Sequence, residues 1–377
     1  MRPAACLAVV AAACCLPAPA WAAAATGPAP PVEAAAYVIE DGRTGEVLDS
    51  SNAHAHLAIA SLTKLMTVLL TLQHHRLTDV VTVDPRAAAV GESSIELRSG
   101  EKMTVRDLLE GTLIQSANDA ADALALSIAP DFPSFARLMN AEAAKLGLHD
   151  THYVRPDGLD APGEYSSAAD VTALARLVMH TRFVRDTVRE QTATISGGRT
   201  LHTWDDLLSQ FPETIGVKTG HTDLAGWCQV AAARDRGVTV YATVLGSPSR
   251  SERNVDLESL LVWGLAQFRL VPAVASGHSY AEVRLPYGRA PLALVAAKPL
   301  LTVARLGRPL TETVVAPLAL ALPVHRGQVV GRVEIRQGKL LVGTRDLVAA
   351  RTVNKPGLGS RLGWYAGRTF HHLAGLL

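Results

Sequence analysis

Strand-forming runs stand at both ends of a long helical stretch, and a chain so arranged has few ways to close a core. Residues 36–40 and 46–49 flank Asp41-Gly42-Arg43-Thr44-Gly45, a turn-forming pentapeptide. The next such runs are 214–220, 226–233 and 238–245, the last two joined by Arg234-Asp235-Arg236-Gly237. Between the two groups the periodicity is helical. Leu62, Leu65, Met66, Leu69 and Leu72 recur on one face of a helix opened by Ser61. Thr104-Val105-Arg106-Asp107 starts a second helix with a capping-box arrangement, and that helix ends near Gln115. Further helices are read at 119–129, 134–146 and 168–180, and a last one at 252–268. Sheet strands this far apart must still meet. The expected fold is therefore α/β in the broad sense (α+β), an antiparallel sheet flanked by helices with an inserted helical lobe.

After residue 270 the texture changes. Val, Leu and Arg alternate in short runs separated by Gly and Pro, as in Val329-Val330-Gly331-Arg332-Val333-Glu334-Ile335. This predicts a small all-β domain at 275–350. Over 355–377, Leu358, Leu362, Tyr365, Thr369, Phe370, Leu373, Leu376 and Leu377 fall within an arc of roughly 140° on a helical wheel. Arg361, Arg368 and His372 border that arc. Such a helix lies in a membrane interface and does not cross it; packing on the protein itself is the other reading.

At the other end, Arg2 precedes an unbroken apolar run over residues 4–16, broken by Pro17 and Pro19 and followed by Ala20-Trp21-Ala22. These are the parts of a secretory signal over 1–22, cut after Ala22 or within the alanines that follow. An Ala/Pro-rich linker follows at 23–35. Cys6, Cys14 and Cys15 leave with the signal, so only Cys228 remains, as a small buried apolar residue. One cysteine forms no intramolecular disulfide, and with no Cys/His cluster no metal and no cofactor are expected. With 377 residues, two domains fit comfortably. A net charge of +1 without a basic stretch carrying interleaved aromatics excludes a nucleic-acid partner.

Three short motifs carry the chemistry: Ser61-Leu62-Thr63-Lys64, Ser116-Ala117-Asn118 and Lys218-Thr219-Gly220. A serine hydroxyl needs an adjacent base to act as a nucleophile, and Lys64 shares a helix face with Ser61. Desolvated there, Lys64 can accept the hydroxyl proton. Ser116 is placed to relay a proton to a leaving amine, and the Asn118 amide to hold a substrate backbone group. Lys218 and Thr219 offer a cation and a hydroxyl to a terminal carboxylate. Gly220, with no side chain, leaves its strand open to an extended substrate. Singly the motifs are weak, since Ser99-Gly100-Glu101-Lys102 and Ser50-Ser51-Asn52 are second copies of two of them. Their order, and their placement on a helix start, a turn and a strand, separate them from coincidence.

Longer stretches around the motifs are similar to the D-alanyl-D-alanine carboxypeptidases, low-molecular-mass penicillin-binding proteins of serine peptidase family S11. They are Ile59-Ala60-Ser61-Leu62-Thr63-Lys64-Leu65-Met66-Thr67, Gln115-Ser116-Ala117-Asn118-Asp119-Ala120-Ala121 and Gly216-Val217-Lys218-Thr219-Gly220-His221-Thr222. Gly158-Leu159-Asp160, Tyr165-Ser166-Ser167 and Leu260-Leu261-Val262-Trp263-Gly264 also resemble family segments. The resemblance spans roughly 36–270 and implies a penicillin-binding/β-lactamase-like fold. It implies that Ser61 is acylated by the penultimate D-Ala of a peptidoglycan stem peptide, with Lys64 as proton acceptor and Ser116 as relay. The backbone N–H groups of Ser61 and His221 would form the oxyanion hole, and Arg253 would lie near the substrate carboxylate. β-Lactams would be covalent inhibitors. The C-terminal β domain and the anchoring helix fit an exported enzyme on the periplasmic or cell-surface face of the cytoplasmic membrane.

One stretch departs from the family. Where it carries an Asn-rich N-x-N-x-L-L segment, this chain has His202-Thr203-Trp204-Asp205-Asp206-Leu207-Leu208, which keeps the leucines and loses both asparagines. Substrate positioning on that side is expected to differ. Two other readings are a class A β-lactamase-like hydrolase and a non-catalytic wall-binding protein. The first lacks its deacylating glutamate with asparagine four residues on, and the second has no chemical need for Ser61, Lys64 and Lys218.

Overall fold

The computed structural model describes residues 27–374, so the signal read at 1–22 and the first part of the linker lie outside the described residues. Residues 27–35 run without helix or strand, and the Asp256 carboxylate accepts from the Glu33 and Ala34 backbone N–H groups. The chain divides into two compact units, Gly27–Ala266 and the part from Gln267 onward.

In the first unit the elements are β1 (Ala36–Asp41), β2 (Val47–Ser51), α1 (Lys64–His74), α2 (Val105–Ile114), α3 (Asn118–Ile128), α4 (Phe132–Leu146) and α5 (Ala168–Val178). They are followed by β3 (Thr214–Thr222), β4 (Gly226–Asp235), β5 (Val238–Ser247) and α6 (Arg250–Ala266). The strands form one sheet in the order β2-β1-β5-β4-β3, antiparallel throughout. The two ends of the unit meet where β1 pairs with β5, Ala36 opposite Leu245 and Asp41 opposite Val240. Successive strand residues face opposite sides of a sheet. Val38 accordingly joins the core beneath the helices, while Ile39 on the other face meets α6 at Gly264. With helices against both faces, Val230 to Ala233 of β4 are all buried, as is Cys228.

Local signals set the helix ends. The Thr104 hydroxyl accepts from the Asp107 N–H at 3.1 Å and caps α2. Asp131 caps α4, which ends at Gly147 in the left-handed conformation. Two features differ from expectation. Ser61 lies in a 3-10 turn, Ala60–Thr63, and the α-helix proper begins at Lys64. Tight 3-10 turns are common at helix starts, and this one is shaped by Gly158. A Cβ on Gly158 would meet the Ala60 carbonyl oxygen at 2.1 Å, so only glycine permits the approach. Small hairpins at residues 80–82 with 102–104, and 192–195 with 199–202, are too short to register as periodicity.

The second unit is β-rich. β6 (Phe268–Val274) pairs with β9 (Leu300–Arg305). A five-stranded antiparallel sheet contains β7 (Ser279–Val283), β8 (Leu292–Ala296), β10 (Thr311–Val315), β11 (Val329–Gln337) and β12 (Leu340–Ala349), in the order β7-β8-β12-β11-β10. Val283, Leu294, Val333, Ile335 and Leu347 form its core. A helix, α7 (Leu358–Ala374), closes the described chain. No helix among the described residues is long and apolar enough to cross a membrane.

Candidate active site

The three motifs converge on one cleft of about 300 Å³ in the first unit, with Ser61, Ser116, Asn118, Thr219, Gly220, His221 and Arg253 on its walls. Lys64 lies beneath, fully buried. Its ammonium donates to Ser61 Oγ at 2.8 Å, to Asn118 Oδ1 at 2.7 Å and to the Asp157 carbonyl oxygen. Those are all three of its protons. When the amine is neutral, two N–H groups can stay on Asn118 and Asp157 while the lone pair faces the Ser61 hydroxyl. Desolvation lowers Lys64 to about 8, opposed by the negative charges of Asp157, Asp122, Glu164 and Glu92.

Ser116 is also nearly buried and has φ +62, a left-handed conformation rare for a non-glycine residue. It sits between the end of α2 and the start of α3. Lys218 on β3 donates to its Oγ at 2.7 Å and to the Thr219 carbonyl oxygen at 2.9 Å. Burial, and then the charge of Lys64, drive Lys218 well below its ordinary pKa.

Two residues do more than the sequence suggested. The Asn118 amide already has a partner at each end, since its Nδ2 donates to the Gly91 carbonyl at 3.0 Å while Oδ1 holds Lys64. It positions the lysine first, leaving one N–H and one lone pair for anything else. A Cβ on Gly220 would point at the Ile59 carbonyl (3.0 Å) and the Ser61 backbone nitrogen (3.1 Å). Glycine is needed there so that β3 can close on the turn carrying Ser61, not only to admit a substrate strand.

The sequence profile of the D-alanyl-D-alanine carboxypeptidases, peptidase S11, matches residues 23–249, more than half of the chain. The chain belongs to this family. The D-alanyl-D-alanine carboxypeptidase DacD of Salmonella typhimurium is 35% identical over 364 residues, 92% of each chain. DacF of Bacillus subtilis is 29% identical over 86% of this chain and 87% of its own. Among solved structures, penicillin-binding protein 6B of Escherichia coli superposes with a TM-score of 0.63 at 30% identity, covering 85% of this chain and 97% of that one. Penicillin-binding protein 5 of Haemophilus influenzae gives 0.64 at 27% identity, with coverage of 88% and 100%.

In this S11 peptidase the departing segment becomes an arginine–aspartate array. Asp205 is buried, accepts from Gln229 Nε2 at 2.8 Å and is raised by desolvation. Asp206 binds Arg250 through two hydrogen bonds of 2.7 and 2.6 Å and accepts from Asn254 Nδ2 at 2.9 Å. Arg253, 1% exposed, is no surface arginine. It donates to Asn254 Oδ1, lies 3.5 Å from Asp206 and stacks its guanidinium over Trp227. Trp227 in turn packs on the His221 ring at 4.0 Å.

Sequence reasoning missed Trp204, Trp227, Arg250 and Glu92 on the cleft wall. Only Trp204 had a signal, its place in the departing segment; its indole N–H donates to the Gln115 carbonyl at 3.1 Å. Also missed were the acids beneath Lys64. Asp122 is buried, and its carboxyl shares a hydrogen bond with the Asp157 carboxylate. Desolvation, and then the Asp157 carboxylate, raise it to about 8. Asp157 itself, against its own desolvation, is kept below the usual range by Arg155 at 2.6 Å. Glu164, raised by desolvation to about 7, accepts from Thr63 Oγ1 at 2.8 Å and from the Arg155 N–H at 3.1 Å. Both its oxygens are occupied away from the cleft.

Proposed function

We propose that this chain is an exported serine-type D-Ala-D-Ala carboxypeptidase that removes the terminal D-alanine from peptidoglycan stem peptides and is acylated by β-lactams. The observation that carries the reading is the 2.8 Å contact between Lys64 Nζ and Ser61 Oγ at the floor of the cleft. Neutral Lys64 takes the Ser61 proton as Oγ attacks the penultimate D-Ala carbonyl. The backbone N–H groups of Ser61 and His221 receive the developing oxyanion, a contribution of about 3 kcal/mol per donor. Ser116 passes a proton to the departing D-alanine amine as the C–N bond breaks, leaving the acyl group on Ser61. Water then cleaves the ester and restores the hydroxyl. The substrate's terminal carboxylate is held by Thr219, with Lys218 and Arg253 supplying positive charge.

The signal at 1–22 would carry the enzyme out of the cytoplasm, and α7 would hold it on the outer face of the cytoplasmic membrane. Leu358 and Leu362 of that helix are exposed, while Arg361, Trp364 and Tyr365 rest on Tyr287 of the same unit. An apolar face is left for lipid.

Labelled penicillin mixed with the purified protein tests the reading. A stable adduct absent in Ser61→Ala, together with D-alanine release from a peptide ending in D-Ala-D-Ala, is the expected result. Rapid drug turnover without a stable adduct would indicate a β-lactamase. No reaction would indicate a non-catalytic wall-binding protein.

A further inference from the structure

One charged side chain on the cleft wall has no part in the reaction above. Glu92 faces the cleft, is exposed, and makes no hydrogen bond or ion pair with any described residue. Its backbone has φ +64, in the left-handed region where glycine is at ease and a residue with a Cβ is strained.

The strained position is held firmly. The Gly91 carbonyl accepts from Asn118 Nδ2 at 3.0 Å, and the Ser93 carbonyl accepts from the Asn118 backbone N–H at 2.7 Å. Ser93 Oγ donates to the Gln115 carbonyl and Ser94 Oγ to Asp119, both at 2.8 Å. Glu92 is thus clamped on both flanks by the same asparagine that holds Lys64. Its charge reaches into the site, being one of the four that oppose the desolvation of Lys64.

The charges of the cleft divide between its walls. Lys218, Arg250 and Arg253 belong to β3 and α6, on the sheet side. Glu92 belongs to the loop pinned to α3, on the side of the helical lobe. Arg250 has its partner in Asp206, but the Glu92 carboxylate has none. A D-Ala-D-Ala peptide presents its own carboxylate to the cationic wall, and Glu92 would only repel that end. A carboxylate fixed at a strained position and left without a partner is complementary to a cation supplied by the ligand.

We propose that Glu92 is a specificity-determining residue that binds an ammonium group on the substrate, carried by an amine-bearing side chain upstream of the D-Ala pair. This rests on the carboxypeptidase reading above. The enzyme then recognises its substrate as a dipole, carboxylate on the sheet wall and amine on the lobe wall, which also fixes the direction in which the peptide lies.

The test compares two peptides ending in Lys-D-Ala-D-Ala, both α-acetylated, one with its ε-amine free and one with it acetylated. The quantity read is the ratio of their kcat/KM values. The wild-type protein is expected to favour the free amine by about fivefold or more at low salt, a partly exposed charge-assisted contact being of that order. The preference should shrink as salt is added. Glu92→Gln and Glu92→Gly should each bring the ratio close to one, mainly through KM for the free-amine peptide. Glycine suits the left-handed backbone, so a collapse in that variant cannot come from misfolding. A wild-type ratio near one, or a ratio unaltered in both variants, overturns the proposal. A substitution that slows both peptides equally also overturns it and assigns Glu92 to the tuning of Lys64. If the wild-type protein releases D-alanine from neither peptide, the carboxypeptidase reading itself falls, and this proposal with it.

Discussion

Lys218 Nζ lies 2.7 Å from Ser116 Oγ, and among the described residues no carboxylate hydrogen-bonds to either. A buried cation without an anionic partner is destabilising, and burial accordingly lowers the Lys218 pKa. The ammonium occupies a lone pair of Ser116 and so turns the serine's own proton toward the rest of the site. Lys218→Met keeps most of the volume and removes the charge. It should slow acylation by penicillin at least about 100-fold, measured by stopped-flow or gel labelling. Because the desolvation cost disappears, its melting temperature should hold or rise. A clear fall would mean that the cation contributes net stability.

Lys64 sets the pH dependence. At about 8, roughly a tenth of the amine is neutral at pH 7. The acylation rate should therefore climb with pH and level off above about 8, an acid limb visible in penicillin trapping from pH 5 to 9. The stability effect has a definite sign. Between about 8 and 10.5 the folded state holds fewer protons at Lys64 than the unfolded chain, so this group's contribution to stability rises with pH across that window. A rate that is flat from pH 5 to 9 would remove Lys64 as the base.

Asp122 acts in the opposite direction. Its carboxyl is buried, hydrogen-bonded to Asp157 and near Arg155 and Lys64. With the folded pKa raised to about 8 from 3.8, the folded state binds the extra proton between those values. The contribution is complete below about pH 4 and is lost as pH rises to about 8. Asp122→Asn removes that loss. The variant should be more stable than wild type at pH 8, by roughly 1–3 kcal/mol, with the gap narrowing toward pH 4 in parallel denaturant titrations.

How much of this the sequence could reveal follows from the range of each interaction. Ser61 and Lys64 are three residues apart, and their 2.8 Å contact follows from helical spacing. The caps at Thr104 and Asp131 and the stop at Gly147 are equally local. Strand pairing between β1 and β5 had to be inferred from the need to bury both, since the partners lie some 200 residues apart. What stayed hidden was set by packing from distant segments. Gly158 against Ala60 shapes the serine's turn, Asp122 comes under Lys64 only when α3 packs on α1, and Glu92 reaches the cleft because Asn118 pins its loop. None of these has a periodicity, and the left-handed backbone at Glu92 has no glycine to announce it.

The last prediction concerns α7. Leu358 and Leu362 stand 75% and 69% exposed on one side of the helix, while Arg361, Trp364 and Tyr365 contact Tyr287. A helix packed on the protein for stability alone would bury those leucines, at about 25 cal/mol for each Å² of apolar surface removed from water. Leaving them exposed near Arg361 suits the surface of an anionic bilayer. Deleting residues 356–377 should abolish co-sedimentation with vesicles containing anionic lipid. Hydrolysis of a soluble peptide should stay within about twofold of the full chain, because the cleft lies entirely in the first unit. Replacing Leu358 and Leu362 together by Ser, with the helix otherwise intact, should weaken vesicle binding in the same direction. If the truncated protein still sediments with vesicles, or if the leucine pair is neutral, the exposed face of α7 is not the membrane contact.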